Sequence, residues 1–119
     1  MNSLINDCKE LRERYPEHIP IKVINNSSQF TLKKDRFLFP QYNSLRKCIK
    51  TIFENSMLHE NKYEYIYIIN GHILEEMELN YTVEYYYQKY GKDNYFILLE
   101  IESNSWRRLI KEMYLFYFK

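Results

Sequence analysis

The chain has 119 residues, with 17 basic against 16 acidic side chains and a formal charge of +1. That length holds one domain with a real core, and a chain 45% hydrophobic and 28% charged is too apolar to stay disordered. Balanced charge removes the phosphate-neutralising drive of nucleic-acid binders, no apolar run approaches the roughly 20 residues of a membrane span, and no signal-peptide layout opens the chain, which therefore reads as intracellular.

The first periodic segment sets Leu4, Cys8, Leu11 and Tyr15 at helical spacing, with Ser3 placed to cap the helix and Pro16 to stop it. Residues 19–24 then alternate, with Ile19, Ile21 and Val23 on one face and Pro20, Lys22 and Ile24 on the other. Asn25, Asn26, Ser27 and Ser28 supply a turn. A second extended run, Arg36 to Phe39, ends at Pro40 and completes an N-terminal hairpin. Ser44 caps the next helix, whose stripe is Leu45, Cys48, Ile49, Ile52 and Phe53.

Tyr63 to Ile69 is the strongest strand signal, aromatic and β-branched, and its almost continuous apolar run predicts a central strand buried on both sides. Asn70-Gly71 ends it. A short helix from Thr82 to Tyr90 carries Val83, Tyr86, Tyr87 and Tyr90, with Gly91 at the C′ position that favours a left-handed backbone. Tyr95 to Ile101 is the last strand. This order predicts an α+β chain of the ubiquitin-like β-grasp type. Its mixed four-stranded sheet carries one main covering helix and pairs the first and last strands centrally. Residues 1–104 form that domain with its N-terminal helix. In the tail, 105–119, Trp106, Leu109, Ile110, Met113, Phe116 and Tyr117 recur at helical spacing beside Arg107, Arg108 and Lys111, which predicts an amphipathic helix.

Enzymatic constellations are missing, and no cofactor or metal is expected. Gly71 and Gly91 are isolated turn residues rather than a phosphate loop. His18, His59 and His72 share no helix face, and Glu75, Glu76 and Glu78 read as a solvated acidic loop without a partner cluster. Cys8 and Cys48 match neither a disulfide framework nor a zinc spacing and read as small buried hydrophobes in a reducing compartment. The chain reads as a non-enzyme.

The hairpin carries more. Tyr15, Pro16, Glu17, His18, Ile19, Pro20, Ile21 and Lys22, followed by the run Lys33 to Pro40, resemble the ubiquitin-like autophagy modifiers of the GABARAP type. In that family a Tyr-Pro-x-x-Ile-Pro strand precedes a basic strand ending in aromatic-Leu-Val-Pro. Tyr67 to Asn70, Tyr86 to Gln88, and Phe96 match in order and spacing, so the resemblance covers about residues 7–106.

The resemblance implies docking of short autophagy receptor and machinery peptides that carry an aromatic residue and, three positions later, an aliphatic one. The peptide would add as a strand beside residues 34–39, by β-augmentation. It implies an aromatic pocket of Asp7, Leu11, Pro20, Arg36, Leu38 and Phe96, with His18 and Lys34 meeting acidic flanks. It also implies an aliphatic pocket around Phe37, Phe39 and Pro40. Three departures stand out. The second pocket's remaining positions fall on Asn43, Cys48 and Thr51, which are smaller or more polar than the family norm. One helix rather than two precedes the first strand. The family exposes a C-terminal glycine for conjugation to phosphatidylethanolamine, whereas Trp106, Arg107 and Arg108 hold none, so lipid attachment by conjugation enzymes is not expected by the usual route.

Three roles fit the tail: packing on its own domain, self-association or partner capture, and direct membrane contact with Arg107, Arg108 and Lys111 near anionic headgroups. The alternative to peptide docking is accordingly a β-grasp scaffold subunit that forms a homo-oligomer, or binds a partner or membrane, through this helix. Either way the expected location is cytoplasmic, with a peripheral place on autophagosomal or vesicle membranes.

Overall fold

A computed structural model describes residues 2–58 and 64–103. Helix α1 (Asn2–Arg14) leads into strand β1 (His18–Asn26), then β2 (Phe30–Leu32) and β3 (Arg36–Pro40). Helix α2 (Leu45–Glu54) is followed by β4 (Ser56–Leu58), β5 (Tyr65–Ile69) and β6 (His72–Ile73). A 3-10 helix (Glu76–Asn80), helix α3 (Val83–Tyr86) with a π-helical continuation (Tyr87–Gly91), and β7 (Ile97–Ser103) complete the domain.

The main sheet has the order β3-β1-β7-β5-β6, and β2 and β4 form a separate two-stranded ribbon. As expected, the first and last strands meet in the middle: β1 and β7 run parallel, with Ile21 opposite Ile97 and Val23 opposite Leu99. The predicted hairpin is also present, with β3 antiparallel to β1 and Pro20 opposite Leu38. This is the mixed sheet and covering helix of a β-grasp fold.

The inner face of the sheet packs on α2, whose Leu45, Cys48 and Ile52 are wholly buried. Ser44 caps this helix as predicted, its side chain accepting the Lys47 N–H at 3.2 Å. Phe30 anchors the ribbon by packing edge-on to Phe53 and Tyr65, at 5.1 and 5.5 Å between ring centres.

Several local expectations are corrected. Ser3 lies inside α1 rather than capping it. Asn25 and Asn26 stay extended because they pair with Ile101 and Glu102 of β7, and the turn begins at Ser27, whose N–H the Asn25 side chain accepts. Among the described residues the sheet has five strands, not four. Asn70 (φ 52°) and Gly71 (φ 77°) are both left-handed, the backbone of a tight hairpin turn, so the chain reverses into β6 instead of ending. β5 is not the central strand. It lies second from the edge, with Tyr65, Ile66 and Tyr67 only half-buried, and β7 takes the centre. Tyr63 and His59 lie outside the described residues.

The acidic run is not free of partners. Glu75 and Glu78 form a reciprocal capping box, His72 bonds Glu78 at 3.0 Å, and Arg46 pairs with Glu76 at 2.7 Å. The Glu75 N–H and then His72 hold the Glu78 carboxyl below the usual carboxylate range.

Gly91 is not left-handed either; its requirement is space. A Cβ there would sit 2.7 Å from the Phe96 carbonyl oxygen and 3.1 Å from the Tyr87 ring. The left-handed residue is Tyr95 (φ 68°), which delays the start of β7 to Ile97 and leaves Phe96 ahead of the strand. Replacing Gly91 by Ala should therefore cost about 1–3 kcal/mol of stability, read as a lower urea midpoint. An unchanged midpoint would contradict this close approach.

A cleft beside a free strand edge

Helix α1 lies against the outer face of the hairpin and is held there at two points. Leu4 and Cys8 pack on Phe96, joined by the half-buried Ile5 and Tyr95. At the other end, the Arg12 guanidinium donates to the carbonyls of Pro16 and His18, both at 2.7 Å, and lies 4.8 Å from the Tyr87 ring centre.

Between α1 and the strands is a cleft of about 380 Å³. Leu4, Asp7, Cys8 and Leu11 line it from the helix, Pro20, Ile21 and Lys22 from β1, and Lys34, Arg36, Phe37 and Leu38 from β3 and the residues before it. Its charge is arranged in pairs. Arg36 faces Asp7 at 3.7 Å, both side chains well exposed, so the bridge is worth at most about 1 kcal/mol and opens readily. Lys22 is bonded to Asp35, and the Lys34 ammonium lies 4.7 Å from the Phe37 ring centre.

Among the described residues, strand β3 has one free edge, because β1 occupies only its other side. The backbone bonds fix which groups that edge offers. Val23 donates to Asp35 and Gln41 to Glu17, so the residue pairs 23/35 and 17/41 are the bonded ones. Alternation makes 21/37 and 19/39 bonded too, and leaves Pro20, which has no N–H, at a non-bonded position opposite Leu38. The N–H and C=O groups of Arg36 and Leu38 therefore point outward, away from β1.

Of the sequence-predicted residues, the cleft gathers Asp7, Leu11, Pro20, Lys34, Arg36, Phe37 and Leu38. Phe96 is not in its lining: it is 4% exposed beneath α1, supporting the helix that forms one wall. His18 begins β1, its ring edge-on to Tyr15 at 6.2 Å. Phe37 and Phe39 turn their side chains into the main core, stacked 5.6 Å apart, while Pro40 is exposed at the strand end. Cys48 is wholly buried under α2, where desolvation pushes its thiol up to about 12. Trp106, Leu109, Ile110, Met113 and Phe116 lie outside the described residues.

The sequence reading missed Leu4 and Cys8 as lining residues, although positions 4, 7, 8 and 11 share one helix face with the predicted Asp7 and Leu11. Burial raises the Cys8 thiol, against the lowering effect of Arg36. Among the described residues, no group of three or more His, Cys, Asp or Glu side chains is placed to hold a metal, and no helix is long and apolar enough to cross a membrane.

No protein-family model and no curated protein sequence matches the chain. Among solved structures it is similar to the crystal structure of Trypanosoma brucei ATG8, with a TM-score of 0.71 at 20% identity, covering 87% of each chain. At that identity the likeness establishes the fold.

The Lys22 hydrogen bond holds the Asp35 carboxyl below its ordinary value. The folded-state pKa thus lies below the unfolded one, so the pair's stabilisation is complete above about pH 4 and is lost as pH falls through the folded value. Asp35 is half-exposed, which limits the effect to about 1 kcal/mol or less. The thermal midpoint should fall between pH 4 and pH 2 less steeply in Asp35→Asn than in the unmodified chain. Identical slopes would mean that the pair contributes nothing.

Proposed function

We propose that this chain is a non-enzymatic, ubiquitin-like autophagy modifier or adaptor that docks short peptide motifs by β-augmentation on β3. The observation that carries this reading is the conjunction of a free strand edge with an apolar cleft beside it. Outward N–H and C=O groups on Arg36 and Leu38 supply the main-chain bonds of an added strand. Leu4, Leu11, Pro20 and Leu38 supply an apolar recess of a volume suited to one aromatic side chain. Lys34 and Arg36 at the same edge favour acidic residues flanking that side chain. The hairpin motif and the fold shared with the trypanosomal ATG8 structure support the same assignment.

Catalysis has no part in this reading. The two thiols among the described residues are buried, with pKa values raised, and thiols in that state are inert. Binding partners are therefore peptides of receptors and machinery proteins, met in the cytoplasm or at vesicle surfaces.

The test is a titration of the full chain with an acidic peptide containing Trp-x-x-Leu, followed by amide chemical shifts. Shifts should cluster at residues 19–22 and 34–39, with a micromolar Kd, about −8 kcal/mol. Arg36→Glu and Leu38→Ala should each weaken binding by about tenfold, or roughly 1.4 kcal/mol. Absence of saturable shifts at millimolar peptide would end the docking proposal.

A further inference from the structure

An added strand is read from both faces of the sheet, because neighbouring residues of a strand project to opposite sides. Two ligand residues an odd number of positions apart, such as the aromatic residue and the one three places later, therefore meet different faces. On the outer face the ligand finds the open cleft between α1 and the hairpin. On the inner face it finds Phe37 and Phe39, which are 7% and 6% exposed and stacked nearly parallel, at 5°. Both belong to the main buried core, as do Cys48 and Ile49 of α2, and the Lys34 ammonium lies over the Phe37 ring. The chain's own aromatic side chains fill the inner side of this edge.

We infer that recognition at β3 is single-anchored. The partner class is an extended peptide with one aromatic residue for the outer cleft, in which the residue three positions later is read weakly and a polar side chain is accepted. Phe39 is the residue that sets this specificity, because its ring occupies the inner side of the edge where a ligand's aliphatic side chain would otherwise be buried. This inference rests on the docking reading above and narrows its ligand.

The experiment compares three acidic peptides on the full chain by calorimetry: one with Trp-x-x-Leu, one with that Leu changed to Ser, and one with the Trp changed to Ala. The Leu→Ser change should weaken binding by less than about threefold, and the Trp→Ala change by more than about thirtyfold. A loss of about tenfold or more for Leu→Ser would overturn single-anchor recognition while leaving docking intact. If the Trp-x-x-Leu peptide does not bind, the docking reading fails and this inference falls with it. In Phe39→Val, which shortens the filling side chain, the Leu→Ser penalty should rise to about tenfold. The wild-type comparison stands whether or not that variant folds.

Discussion

The parallel pairing of β1 with β7 is the constraint on which the rest of the structure depends. It joins the first strand of the chain to the last, so everything between must be accommodated around it: α2 on one face, the ribbon at one end, β5 and β6 beyond β7. Because β7 satisfies one side of β1, the only place left for β3 is the other side, where it becomes an edge. An unpaired edge is normally a liability, a template for unwanted strand pairing. Here the exposed Arg36 and Pro40 interrupt it, and α1 stands beside it. The edge is thus guarded rather than merely open, and Arg36, which discourages aggregation, also lines the proposed ligand site.

A single missing N–H has a large effect within that frame. Pro20 can occupy β1 only where no hydrogen bond to β3 is required, and this fixes the phase of the whole hairpin. With the phase set, Arg36 and Leu38 direct their backbone groups outward, and their side chains stand on the face that α1 flanks. Backbone recognition and the apolar recess are therefore brought together by one register. Shifting it by one residue would separate them, because alternate side chains would exchange faces.

Much of this was legible in the sequence. The β-grasp order, the cap at Ser44 and the central meeting of first and last strands rest on long periodic segments and strong capping chemistry, whereas Thr82, read as the first residue of a helix, is its N-cap. Seven of the cleft residues were legible through the resemblance to a known family. What escaped depends on tertiary fit. β2, β4 and β6 are two or three residues long, too short for a period to register, and β6 exists because Asn70-Gly71 turns the chain back on itself. Gly91 looked like a helix stop, whereas it is a close approach to the Phe96 carbonyl, which only the folded chain brings near. Phe96 moved from pocket lining to support because left-handed Tyr95 places it before the strand. Phe37 and Phe39 carry the right chemistry for a pocket wall, and their identity alone does not reveal how deeply both are buried in the main core.

The attachment of α1 has a thermodynamic meaning. Its apolar contacts form a small cluster of Leu4, Cys8 and Phe96, separate from the main core that binds the sheet to α2. The cleft is thus a seam between this small cluster and the main core, spanned by the bonds of Arg12 to Pro16 and His18. A ligand wedged into the seam would touch both sides and so favour the arrangement in which α1 is docked. Occupancy of the proposed site would thereby be linked to the docking of α1, so that a second molecule touching only the far side of that helix would be coupled to the first without contacting it.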